Sequence, residues 1–210
     1  MTHPTRRRIT ITLTALTTTV LLTACSGGAD PAAEDTGSVA TERSAAEEVD
    51  EDGAHNDADT QFAQMMIVHH EGAIEMADLV VERGGTEEVR ALGERIAAAQ
   101  GPEIDLMSGW LAAWGEDMPG EAQHGAMDHA GMDMEGMDQG EAMTELEGLE
   151  GMELDRRFLE LMIAHHRGAI EMAETHLADG ENPDARELAG KVIDDQAREI
   201  TEMRGLLDDL

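Results

Sequence analysis

The sequence predicts an all-α fold, namely a four-helix bundle made of two duplicated helix hairpins. The main observation is an internal repeat, in which residues 59–77 recur as residues 155–173 with an offset of 96 residues. The match continues without a gap through Gly84 and Gly180 into the second half of each repeat. Apolar residues recur at helical spacing on both sides of that glycine, which indicates a helix, a turn and a second helix. Two long hairpins of this kind pack naturally as a four-helix bundle.

Helix start and stop signals set the expected boundaries. Thr86 and Asn182 occupy equivalent N-cap positions, and Pro183 follows at the first helical position. We therefore predict helices at residues 58–83, 87–113, 153–179 and 183–208. A coiled-coil dimer is less favoured, because the turns are short and the hairpins are duplicated.

The N-terminus has the features of a bacterial lipoprotein signal. Arg6, Arg7 and Arg8 precede an apolar stretch that is short for a membrane span and ends at Cys25 after small residues. We predict a signal peptide at residues 1–24 and lipidation of Cys25. The chain would then be exported, by the general secretory or twin-arginine route, and anchored to the outer face of the cell membrane. The alternative is an uncleaved anchor with a chance cysteine.

Composition divides the remainder of the chain. Residues 25–56 hold almost no large apolar side chains, so we expect a disordered acidic tether that follows the lipid anchor. Residues 57–210 form the predicted bundle, which is long enough to bury its own core. A Gly-rich, Met- and His-rich loop at residues 115–151 separates the repeats, and its glycines discourage a stable helix.

Charge and sulfur content limit the partners. The net charge of −32 argues against nucleic acid and favours cations, although an acidic surface can serve solubility alone. Cys25 is the only cysteine, so there is no disulfide and no thiolate metal site. The 15 methionines stand against 2 Phe, 2 Trp and no Tyr. They are either a source of thioether ligands or flexible core filler.

The duplicated histidine pairs are the candidate site. On a helix, His69, His70, His165 and His166 fall on the apolar face, with methionines about one turn before and after them. Buried imidazoles need partners, because an unpaired buried polar group costs about 1–3 kcal/mol. A metal ion, water, or acceptors such as backbone carbonyls and the glutamates of the second helices would each satisfy them. We favour the metal ion because the pair occurs twice.

Copper is the metal that this ligand set suits. Thioether and imidazole without thiolate suit Cu(I), and imidazole with carboxylate suits Cu(II). Zinc rarely takes thioether ligands, and the predicted helices hold no Glu-x-x-His motif of the di-iron type. The Gly-rich loop adds six His and Met side chains that have no core to fill, and we interpret them as a secondary metal-capture tract. They are His124, Met127, His129, Met132, Met134 and Met137.

The repeated pattern Met-Ile-x-His-His-x-x-Ala-Ile-x-Met-Ala resembles the bacterial "domain of unknown function 305" family, and residues 195–203 resemble its second-helix pattern. The resemblance covers about residues 55–210. It implies a ferritin-like four-helix bundle in an exported protein associated with copper binding and copper tolerance. Many relatives have proline before the His pair, where this chain has Val68 and Ala164. Carried over by position, the metal-binding residues are Met66, His69, His70, Met76, Met162, His165, His166 and Met172.

These observations predict an extracytoplasmic copper-binding lipoprotein that acts as a buffer, scavenger or chaperone, with silver as an alternative cargo. We expect no catalytic turnover, because the sequence offers no nucleophile–base arrangement and no phosphate-binding glycine loop. One rival is a metal-dependent oxidase on the same histidines, and the other is a metal-free interaction module. A copper-delivery partner would be a protein whose identity the sequence does not give.

Overall fold

The computed structural model describes residues 53–120 and 137–210, and the secondary structure of this part is helical. Its helices are α1 (Asp57–Arg83), α2 (Glu87–Trp114), α3 (Gln139–Glu147), α4 (Gly151–Asp179) and α5 (Pro183–Asp209). The four long helices lie within two residues of the predicted boundaries. None of the helices in the described ranges combines the length and the apolar composition needed to cross a membrane.

Local capping explains where the long helices begin. Thr86 accepts a hydrogen bond from the backbone N–H of Val89 at the start of α2. Asn182 caps α5 in the same way, with Pro183 at the first position. Both N-caps were predicted. Asn56 caps α1 through a reciprocal capping box with Asp59, which satisfies donors that a helix start leaves open.

Helix α3 is a difference from the sequence analysis, which placed a loop over residues 115–151. Asp138 and Glu141 form a capping box at its start. Met143 and Leu146 then enter the apolar core, and Met137 packs against the core at its edge. The prediction of a loop was therefore wrong for residues 137–147. The burial of apolar side chains by the short helix α3 outweighs the flexibility that the nearby glycines confer.

The two hairpins, α1–α2 and α4–α5, meet mainly through an antiparallel contact between α1 and α4. The core lies on both sides of this contact. One apolar cluster contains Met76 and Met162, and the other contains Met66 and Met172. Each cluster thus contains one methionine of each equivalent pair, Met66 with Met162 and Met76 with Met172. An approximate two-fold axis between α1 and α4 produces this arrangement.

Two buried aspartates tie each hairpin to the turn of the other. Asp155, at the start of α4, accepts hydrogen bonds from the backbone N–H groups of Gly85 and Thr86 at 2.9 and 2.7 Å. Asp59, at the start of α1, accepts from the N–H groups of Glu181 and Asn182, both at 3.1 Å. These partners are equivalent under the 96-residue offset, so the hairpins hold each other by the same contact made twice.

Candidate metal centre

The four histidines of the repeated motif lie in the interior of the bundle. His69 and His70 on α1, and His165 and His166 on α4, are each at most 2% exposed. The imidazole rings of His69 and His165 are in contact, with centroids 3.6 Å apart and planes tilted by 38°. The predicted approach of the two His-His turns is therefore confirmed, and it follows from the two-fold relation of the hairpins.

Glutamates on the second helices hold the other histidine of each pair. The Nε2 atom of His70 lies 2.9 Å from Oε2 of Glu103, and Nε2 of His166 lies 2.6 Å from Oε2 of Glu199. A carboxylate only accepts, so each Nε2 carries the proton and donates it. Carboxylate acceptors were one of the three partners that the sequence analysis allowed.

This arrangement assigns the free lone pairs of the site. With Nε2 protonated, the lone pair of a neutral imidazole lies on Nδ1. The Nδ1 atoms of His70 and His166 are buried and receive no hydrogen bond from any residue in the described ranges. Carboxylate–histidine pairs of this form are the usual support of a metal-binding imidazole, because the carboxylate fixes the tautomer and raises the basicity of the ring.

Electrostatics determine the protonation state of two groups in the centre, His165 and Glu103. Burial, and after it the neighbouring imidazoles of His69, His166 and His70, hold the pKa of His165 well below its ordinary value. His165 is therefore neutral at neutral pH, and protons do not compete for its lone pair. Burial works against ionisation of Glu103, but hydrogen bonds from His70 and then Lys191 lower its pKa, so this carboxylate is charged.

The motif methionines flank the histidines within the core. Met66, Met76 and Met162 are fully buried and Met172 is 9% exposed. They are divided between the two apolar clusters, with Met76 and Met162 in one and Met66 and Met172 in the other. In residues 53–120 and 137–210, no group of three or more His, Cys, Asp or Glu side chains is arranged to hold a metal ion. A metal in this centre would accordingly need thioether sulfur besides imidazole, which fits a soft cation.

The secondary tract is only partly described. Met137 lies at the start of the α3 region, half-buried against the core. The lipidation position, Cys25, and the rest of the tract lie outside the described residues; in the tract these are His124, Met127, His129, Met132 and Met134.

The sequence did not predict the contacts of His176 and Lys191. His176 on α4 donates through Nε2 to Asp59 at 2.8 Å and stacks on Phe62 with ring centroids 4.2 Å apart. Its equivalent in the first repeat is Val80, so this contact is made only once. Lys191 donates to Oε1 of Glu103 at 2.7 Å. Breaks in the repeat, visible by aligning its two copies, were the signal that could have found both residues.

The fold and the site define a class of protein, an all-helical pair of duplicated hairpins that meet at buried His-His turns. The model of the domain of unknown function 305 (DUF305) family matches residues 59–207. The chain belongs to this family, as the resemblance of the motif implied. No curated protein matches the chain.

Solved structures of relatives cover most of the chain. A DUF305 fragment from Deinococcus radiodurans is 30% identical, with a TM-score of 0.63, over 74% of this chain and 98% of the fragment. A DUF305 protein from Streptomyces coelicolor that is assigned as secreted is 35% identical, with a TM-score of 0.63, over 72% and 93%. CopM in its Cu(I)-bound form is 28% identical, with a TM-score of 0.59, over 72% and 96%. CopM is also known in Cu(II)-bound and silver-bound forms.

Proposed function

We propose that this chain is an extracytoplasmic copper-binding lipoprotein that buffers, scavenges or carries copper without catalytic turnover. The observation that carries the proposal is the meeting of the two His-His turns, in which Nε2 of His70 and of His166 each contacts a carboxylate and Nδ1 of both rings is buried. His176 also combines a carboxylate partner with a buried Nδ1 that receives no hydrogen bond from the described residues, so this combination alone does not mark a ligand. His70 and His166 differ from His176 because each is the sequence neighbour of a histidine in the His69–His165 contact.

Copper is the cargo that fits the donor set and the relatives. Cu(I) prefers imidazole and thioether, and burial excludes water that would favour a harder ion. The negative charges of Glu103 and Glu199, one hydrogen bond away, compensate the charge of the bound ion. CopM, which shares the fold at 28% identity, is known with Cu(I), Cu(II) and silver. We propose copper as the main cargo and silver as an alternative.

The location and anchoring complete the proposal. Lipidation at Cys25 would hold the domain at the outer face of the cell membrane, and a related protein is assigned as secreted. The pairing of α1 with α2, α4 with α5 and α1 with α4 supports a ferritin-like four-helix arrangement as the frame of the centre. The partners we propose are metal ions and, for delivery, a copper-accepting protein.

Copper affinity of histidine variants tests this function. The background is the full chain in mild detergent, with the His and Met side chains of residues 121–136 replaced by Ser. This removes five of the six side chains of the tract and keeps Met137, which packs against the core. His70→Gln/His166→Gln is compared with His55→Gln/His176→Gln, which removes two histidines outside the centre. Native mass spectrometry counts bound copper, and competition with a chromophoric Cu(I) chelator gives the affinity.

The expected result is one tight copper in the background protein and in the control. Loss of a group that only supports a ligand costs about 10–100-fold in metal affinity, so loss of both ligands should cost about 100-fold or more. Circular dichroism verifies that each variant is folded. Unchanged Cu(I) affinity in a folded His70→Gln/His166→Gln protein would rule out these histidines as ligands.

The absence of turnover has its own test. The copper-loaded chain is exposed to air, and the rate of Cu(I) oxidation is compared with that of the same copper held by the chelator. We expect the protein to slow oxidation, because thioether and imidazole ligands in a buried site favour Cu(I). Repeated, protein-dependent oxidation of added Cu(I) would instead establish an oxidase.

A further inference from the structure

A cleft lies between α2 and α5, which touch each other much less than the other neighbouring pairs of long helices do. Its volume is about 150 Å³, and polar side chains from equivalent positions of the two repeats line it. Gln100 and Glu103 come from α2, and Gln196 and Glu199 come from α5. The approximate two-fold axis therefore brings two carboxylates and two amides to one cleft.

The side-chain amide oxygens of this cleft accept no hydrogen bond from the described residues. Gln100 and Gln196 are 3% and 4% exposed, yet no residue in the described ranges donates to the Oε1 atom of either side chain. A buried acceptor without a donor is costly, and the same defect occurs at both equivalent positions. The neighbouring carboxylates, 13% and 21% exposed at Glu103 and Glu199, also only accept. Asp195 and Arg198 also line the cleft and pair with each other. The cleft thus concentrates acceptors, of which the two amide oxygens have no donor among the described residues.

We propose that the α2–α5 cleft is an outer cation site, in which Glu103, Glu199 and the amide oxygens of Gln100 and Gln196 bind a divalent metal ion. Carboxylate and carbonyl oxygens suit hard or borderline divalent ions, such as Mn²⁺, and not Cu(I). The site therefore differs in chemistry from the imidazole–thioether centre behind it. Its existence does not depend on the copper-binding function proposed above.

Lys191 distinguishes the two halves of the cleft. Its Nζ donates to Glu103 and, at 2.8 Å, to Asp195. Hydrogen bonds to Asp195 first and Glu103 second raise the pKa of Lys191, so the ammonium is charged. The equivalent residue, Arg95, pairs with Glu202 instead. One carboxylate of the site is therefore already neutralised by a lysine, with which an entering cation must compete.

Mn²⁺ binding to the full chain tests the site, because Mn²⁺ prefers oxygen ligands and its free form is measured by electron paramagnetic resonance. Gln100→Leu/Gln196→Leu removes the amide oxygens without changing the net charge, so weak binding to the acidic surface is unaltered. Gln61→Leu, at an exposed position of α1, is the control. We expect one Mn²⁺ bound more tightly than the rest in the wild type and the control, weakened about tenfold or more in the double variant.

A second variant leaves the cleft oxygens in place. Lys191→Leu removes the competing ammonium and should tighten Mn²⁺ binding severalfold, whereas Arg204→Leu, an exposed and charge-matched control, should not. Cu(I) affinity measured on the same proteins separates this site from the histidine centre and should be unchanged by Gln100→Leu/Gln196→Leu. The proposal is overturned if the wild type has no distinct Mn²⁺ site, or if neither cleft variant changes Mn²⁺ binding relative to its control.

Discussion

The carboxylates behind the histidines offer the sharpest test of the centre. In Glu103→Gln/Glu199→Gln each His Nε2–H can still donate to an amide oxygen, so the geometry is preserved while the negative charge is removed. A hydrogen bond to a charged group contributes about 1.5–3 kcal/mol and a neutral one about 0.5–1.5 kcal/mol. The free energy of unfolding of the copper-free protein should therefore fall by about 2 kcal/mol for the two pairs together.

The effect on copper should be larger than the effect on folding. Loss of an outer-shell partner typically costs about 10–100-fold in metal affinity, and the two-fold arrangement supplies two such partners. We expect the double variant to bind Cu(I) about 100-fold more weakly than the wild type. Part of the cause is the lost basicity of the rings, and part is the lost charge compensation for the buried ion.

The assay is a Cu(I) competition titration combined with urea denaturation of the copper-free proteins. Glu94→Gln/Glu187→Gln is the matched control, because it makes the same charge change at exposed positions of α2 and α5. Since Glu103 and Glu199 also line the outer cleft, Gln100→Leu/Gln196→Leu is measured in parallel. Equal Cu(I) affinities for Glu103→Gln/Glu199→Gln and its charge-matched control would refute the carboxylate–histidine–metal reasoning.

Three further predictions concern the frame and the loop. Asp59→Asn should destabilise the fold at pH 7. Burial opposes ionisation of Asp59, but hydrogen bonds from the Asn56 backbone, His176 and the 181–182 turn lower its pKa. The stability that the charged Asp59 adds is therefore present above about pH 4 and is lost below it. Urea melts of wild type and variant should therefore converge as the pH falls below about 4, and a constant difference would contradict this. Gly84→Ala should lower the melting temperature, because a Cβ there would lie 2.6 Å from the Val80 carbonyl oxygen. Gly190→Ala, whose Cβ would enter open space within α5, should instead raise the free energy of unfolding by about 0.5–1 kcal/mol. Equal melting temperatures of the two variants would contradict the close approach at Gly84. Replacing His and Met in residues 121–136 by Ser should lower the amount of copper bound without changing the melting temperature, and a large loss of stability would show that these side chains belong to the core.

The sequence predicted much of the frame because the repeat doubles every signal. The N-caps at Thr86 and Asn182 are local features, and helical spacing alone places the histidines on the buried face. The meeting of His69 with His165 followed from the symmetry that a duplicated hairpin implies. These inferences needed no knowledge of distant contacts beyond the repeat itself.

Other contacts depend on tertiary structure and were not predictable in this way. The choice of Glu103, and not water, as the partner of His70 requires the spacing of α1 and α2. The hydrogen bond from the backbone N–H of Gly85 to Asp155 joins residues 70 positions apart, and no local sequence pattern predicts such a contact. Helix α3 was missed although Asp138-x-x-Glu141 is a capping-box pattern, because the surrounding glycines favoured a loop.

The reciprocal aspartate contact has a consequence for how the hairpins associate. Each repeat carries both parts of the contact, an aspartate at its start and a turn that receives the aspartate of the other copy. A polypeptide with one repeat would thus present a self-complementary surface, as the subunits of an isologous dimer do. In this chain the segment between the repeats makes that association intramolecular, so a fixed effective concentration replaces a bimolecular equilibrium. Pairing of the His-His turns is therefore independent of how much of the protein is present.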